Sequence, residues 1–133
     1  ILFLDPYPDV PYRISKDQNG GYGTANDYGD SFFSKILKFI VKGSVDFPPL
    51  YCVQVCGELL SMGCDVQYKR EEKDYSSYDL VIMPSSIVCH ETEIKKVKEI
   101  VRSNKKIIVI GPFATSNPNT YLEAGASVLK GEP

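Results

Sequence analysis

The sequence predicts a doubly wound α/β domain, flavodoxin- or Rossmann-like, with a five-stranded parallel sheet and helices on both faces. Three observations carry this. Short apolar runs (ILFLD at 1–5, LVIM at 80–83 and IIVI at 107–110) each stop at Pro, Gly or Asp, as strands buried on both faces do. Amphipathic stretches of helical period lie between them. The alternation of strand and helix then implies parallel pairing with helices above and below.

Strand 1 spans 1–5 and ends at Asp5-Pro6. A helix starts near Pro49, with Leu50, Val53, Gly57 and Leu60 at three- and four-residue steps, and stops before Gly63. Residues 65–69 (DVQYK) alternate in polarity and suit an edge strand. The link from Glu71 to Ser77 is too short for an ordinary helix, so an irregular or one-turn crossover is expected there. Strand 3 spans 80–83. The helix after it runs from Glu91 to Ser103, with Ile94, Val97 and Val101 as its apolar stripe. Its early Glu91 and Glu93 and late Arg102 complement the helix dipole. Strand 4 spans 107–110, a short helix covers 117–124, and a fifth strand covers 126–129. Right-handed crossovers make 2-1-3-4-5 the simplest strand order. A ligand crevice then lies at the carboxyl ends of strands 1 and 3.

A long insert, 6–48, follows strand 1. It holds one helix, capped by Asp30 or Ser31, with Phe33, Ile36, Leu37, Ile40 and Val41 on one side and Gly43 at its end. The segment Asn19-Gly20-Gly21-Tyr22-Gly23-Thr24 precedes it. Two outcomes are open: the insert covers the crevice, or it is a surface excursion that packs Phe32, Phe33 and Phe39 as a satellite cluster.

With 133 residues, 43% hydrophobic and 24% charged, the chain suits one domain. The net charge of −2 gives no reason to expect nucleic acid or an anionic membrane as partner. Cys52, Cys56, Cys64 and Cys89 do not form a disulfide scaffold, which points to a reducing, cytoplasmic setting. A strand beginning at residue 1 reads as a fragment of a larger protein.

The candidate binding residues lie where strands leave the sheet. Asp5 and Pro6 end strand 1. Ser85, Ser86 and Ile87 follow strand 3 and offer hydroxyl and N–H groups. Gly111 closes strand 4 where a side chain would block a bulky ligand. Their other reading is an ordinary strand exit. His90 stands alone and suits a helix entry or an exposed position. Cys52 and Cys56 lie in a helix, and the next cysteine, Cys64, is too distant for a C-x3-C-x2-C cluster motif. No Walker A loop, G-x-G-x-x-G or G-x-S-x-G occurs, and no catalytic constellation is present.

Two stretches resemble a known family. Pro49-Leu50 through Leu59-Leu60 and Met62-Gly63-Cys64-Asp65-Val66, followed by Tyr78-Asp79-Leu80-Val81, are similar to the cobalamin-binding-like domain at the front of radical SAM enzymes. So is the tail, Ile107-Ile108-Val109-Ile110-Gly111-Pro112-Phe113-Ala114-Thr115, then Pro118, Ala126 and Gly131-Glu132. The resemblance covers 1–5 and 49–133. It implies cobalamin in this domain, near Gly111, Pro112, Phe113 and Gly131 as well as Asp5, Pro6, Ser85, Ser86 and Ile87. It also implies a C-terminal radical SAM domain in the same chain, with an iron-sulfur cluster, S-adenosylmethionine and a small-molecule substrate. The family's second Gly and its His are here Pro112 and Phe113, and no Asp-x-His-x-x-Gly motif follows strand 1. The rival expectation is a degenerate module of the same fold that binds no cofactor and serves for docking or substrate recognition. A weaker third is a flavodoxin-like domain for another nucleotide-like ligand.

Overall fold

The computed structural model describes residues 1–43 and 47–131. Residues 44–46 of the insert, and Glu132 of the Gly131-Glu132 pair, lie outside the described residues. The elements run β1 (Leu2–Leu4), β2 (Ile14–Ser15), β3 (Thr24–Ala25), α1 (Phe32–Lys42), α2 (Leu50–Ser61), β4 (Gln67–Lys69), β5 (Leu80–Pro84), α3 (His90–Arg102), β6 (Lys106–Ile110), α4 (Pro112–Ser116), α5 (Pro118–Leu122) and β7 (Ser127–Val128).

Five strands form one sheet in the order β4-β1-β5-β6-β7, and every pairing is parallel. This is the 2-1-3-4-5 winding, with β1 and β5 adjacent where the direction reverses. Side chains alternate between the two faces, as a pleated strand requires. Leu2, Leu4, Val81, Met83, Ile107 and Val109 join Val97 and Ile100 of α3 and Tyr121 of α5 in one cluster. Phe3, Ile82 and Ile110 face the other way and pack with Cys52, Val55 and Leu59 of α2. Helices therefore cover both faces.

Several details differ from the sequence expectations, though the link between β4 and β5 is irregular and free of helix, as its length implies. Buried Tyr75 and Tyr78 fill that space, with the Tyr75 hydroxyl donating to the Glu72 carbonyl at 2.9 Å. The buried stripe of α3 is Glu93, Val97 and Ile100, while Val101 is exposed. Pro112, which fits a first helical turn, starts an additional short helix, α4. The insert contains an antiparallel pair, β2 with β3, two residues a side, besides α1. Ser31 caps α1 by accepting from the Ser34 N–H at 3.1 Å. Phe32, Phe33 and Phe39 do not form a buried cluster. All three face solvent, with Phe32 and Phe33 in edge contact at 5.8 Å.

Among the described residues no helix is long and apolar enough to cross a membrane.

Candidate functional site

The winding reversal puts the carboxyl ends of β1 and β5 side by side. Asp5 follows β1 in line, because its N–H donates to the Lys69 carbonyl at 2.8 Å. Ser85 follows β5 and is held by its N–H to the Ile110 carbonyl, also 2.8 Å. Asp5, Ser85 and Ser86 have no exposed surface, and Pro6 is buried.

The space between these ends is filled from the insert. Lys16, just past β2, places its Nζ 2.7 Å from Asp5 Oδ1 and 3.0 Å from Glu93 Oε1. All three side chains are wholly buried. The remaining carboxylate valences are met as well. The Tyr68 hydroxyl donates to Asp5 Oδ2 at 2.6 Å, and the Tyr121 hydroxyl donates to Glu93 Oε2 at 2.5 Å. The Ser86 N–H donates to both Glu93 oxygens, at 3.1 and 3.2 Å. A buried charge set persists when its members are paired and hydrogen-bonded in this way.

The electrostatics follow from burial and pairing. Loss of water alone would pull the Lys16 ammonium down, but the carboxylates of Glu93 and Asp5 hold it above its ordinary value. Burial raises Glu93 against the opposing pull of Lys16. Burial and the neighbouring Glu93 raise Tyr121, and burial and Asp5 raise Tyr68. Cys89, beside the cluster, is pushed up to about 11, mainly by burial. A lysine held protonated inside the fold is a structural cation, not a nucleophile.

A second layer of the insert closes over this edge. The Ile87 N–H donates to the Tyr22 carbonyl at 2.9 Å, and the Tyr22 hydroxyl lies 2.7 Å from Ser116 Oγ. Gly21 and Gly23 lie at positive φ. A β-carbon on Gly21 would fall 2.7 Å from Pro112 Cγ, and one on Gly23 2.5 Å from Val88 Cγ2. Only glycine lets this strap lie so close. Of the two outcomes open for the insert, it covers the crevice.

The other candidate residues support the edge. Gly111 has φ +106°, and a β-carbon there would come within 3.2 Å of Ser85 Oγ. That hydroxyl accepts from the Ala114 N–H at 2.9 Å, so Ser85 ties α4 to β5. Phe113 is buried against Tyr121, with ring centroids 6.2 Å apart. Pro112 lies under Gly21, and Ile87 is half exposed at the rim. Gly131 lies farther out and exchanges hydrogen bonds with Thr115 Oγ1, both at 3.1 Å. His90 opens α3, with its Nδ1 2.7 Å from the Ile87 carbonyl.

The candidates thus do converge on one edge, with Gly131 at its margin. The residues that dominate that edge, Lys16, Glu93, Tyr68 and Tyr121, were not singled out from sequence as site residues. Glu93 left a usable signal: it precedes Val97 and Ile100 by four and seven residues, which puts an acid on the buried side of α3. Lys16 left none.

Cobalamin would need an open cradle between these strand ends. Lys16 with its carboxylates fills that space, and Gly21 closes on Pro112, so the residues present do not fit the group. Among the described residues no cluster of three or more His, Cys, Asp or Glu could hold a metal ion. No protein-family model, curated protein or solved structure matches the chain. Fold and edge together define a doubly wound α/β domain in which the space at the carboxyl ends of the strands is filled by its own polypeptide.

Proposed function

We propose that this chain is a cobalamin-binding-like module of a radical SAM enzyme whose crevice has been given over to its own insert. In this reading it serves as a docking or substrate-recognition module. The observation that carries the reading is Lys16, locked between Asp5 and Glu93 where a cofactor would otherwise lie. The resemblance over 1–5 and 49–133 supports the family. Catalysis would belong to a C-terminal radical SAM domain of the same protein, and the iron-sulfur cluster and S-adenosylmethionine would bind there. The surface offered to that domain, or to its small-molecule substrate, would be the rim formed by the strap and half-exposed Ile87. This chain's residues would position that rim. Lys16 anchors the strap from below, and Tyr22 pins it to the turn after β5 and to α4 from above.

Hydroxocobalamin titrated into the chain tests the reading. No spectral change and no retention after desalting are expected. Saturable binding with a base-off spectrum would overturn the docking role and return the crevice to the cofactor. A parent protein without C-x3-C-x2-C would overturn the radical SAM assignment independently.

A further inference from the structure

The insert that fills the space between the ends of β1 and β5 leaves a separate hollow toward β4. Its volume is about 180 Å³, and it is lined by Arg13, Lys42 and Arg70 together with Tyr7 and Tyr12. Tyr7 follows the buried Asp5-Pro6 exit of β1, and Arg70 follows β4 directly. Strands β1 and β4 run parallel, with Leu4 opposite Lys69, so both residues issue from carboxyl strand ends. Open α/β sheets bind ligands outside such ends.

Three cationic side chains line this hollow, and among the described residues no carboxylate does. The whole chain carries a net charge of −2, so the hollow reverses the balance locally. The nearby acids are engaged elsewhere. Asp5 and Glu93 hold Lys16. Asp17 lines the adjoining hollow and accepts from the Leu50 N–H at 2.9 and 3.2 Å. Glu72 pairs with Lys69 at 2.5 Å. Asp9 is exposed and does not line the hollow.

The cations are held in position. The Arg13 carbonyl accepts from the Asn26 N–H at 2.9 Å, which ties it to the β2–β3 pair. Lys42 ends α1 and donates to the Val10 carbonyl. The Arg70 guanidinium lies over the Tyr7 ring, 4.8 Å from its centroid, and Lys16 Nζ lies 4.9 Å from the same centroid. A guanidinium carries five N–H donors in a fixed fork, so a stacked arginine still presents an edge to an oxyanion. Two forks and an ammonium around one small space suit the doubly charged head of a phosphate monoester better than a singly charged carboxylate. The tyrosine rings offer an apolar wall to the organic part of such a ligand.

We propose that this hollow is a binding site for a small organic phosphate, gripped by Arg13, Arg70 and Lys42. The proposal depends neither on the docking role nor on the radical SAM assignment. Phenyl phosphate titrated into the isotope-labelled chain at fixed ionic strength, followed by NMR, reads it. Saturable shifts are expected in the backbone of residues 7–14, Lys42 and Arg70, and none at Gly111. Arg13→Gln and Arg70→Gln should each weaken binding by about tenfold, the loss of one charge-assisted pair. Arg70→Lys should recover little of that loss, because it keeps the charge and not the fork. Lys42→Gln, at an exposed position that folding tolerates, should weaken binding by about threefold, as a partly solvated charge does. Circular dichroism checks that each variant is folded. Absence of saturable shifts overturns the proposal, as does binding that survives all three glutamine substitutions. Benzoate binding as tightly as phenyl phosphate overturns the choice of phosphate, and inorganic phosphate binding as tightly overturns the choice of an organic ligand.

Discussion

Placing Lys16 between Asp5 and Glu93 gives up the hydration of three charges for two ion contacts and the hydroxyls of Tyr68 and Tyr121. Such a set adds little net stability compared with an apolar core, but breaking it is severe. Lys16→Met leaves two carboxylates facing each other without water. It should cost roughly 3–5 kcal/mol in urea unfolding. Adding Asp5→Asn and Glu93→Gln to Lys16→Met should restore much of that loss. The pH dependence has a definite sign. Lys16 holds its proton more tightly in the folded chain than its ordinary value of 10.5 allows in the unfolded one. Its contribution is complete below pH 10.5 and is lost as pH climbs from there through the raised folded-state value. Glu93, raised by burial, acts in the same sense at lower pH, because its ionisation disfavours the native state. Unfolding midpoints measured at rising alkaline pH should fall, and Lys16→Met should flatten that fall. None of this was legible from the residue itself: Lys16 sits in a polar stretch, and only its fold-distant partners give it meaning.

At the scale of elements, strands were the most legible features. Continuous apolar runs closed by Pro or Gly leave few other places to go, and β1, β5 and β6 lie where those runs are. The β2–β3 pair escaped notice because two-residue strands are shorter than any periodic pattern. The α4 helix escaped because Pro112 reads equally as a stiff loop and as a first helical turn. Helix α1 was legible as a helix but not in its placement, since periodicity says nothing about which side meets the body. With its apolar side in water, α1 depends on its own hydrogen bonds, on the Ser31 cap and on the contacts of Lys38 with Asp27 and Lys42 with the Val10 carbonyl. Ser31→Ala should loosen it by about 1 kcal/mol. Hydrogen exchange followed by mass spectrometry should show α1 exchanging faster than α3 in the wild type. The substitution should speed α1 further while leaving the global unfolding midpoint nearly fixed.

At the scale of the whole molecule, the winding was readable because right-handed crossovers leave few ways to order five parallel strands. The location of the crevice followed from the winding, and the candidate residues at the strand exits do gather there. Its contents did not follow. Lys16 and Glu93 come from an insert hairpin and from the first turn of a helix, and no local rule links them.

The same arrangement changes what the insert is. An ordinary excursion between a strand and a helix can be trimmed with little effect on the domain beneath it. Here the excursion supplies the only cation between Asp5 and Glu93 among the described residues. Excising it would remove both the cation that pairs Asp5 with Glu93 and the cover that keeps water from them, so the sheet edge and its longest connection are packed as one unit.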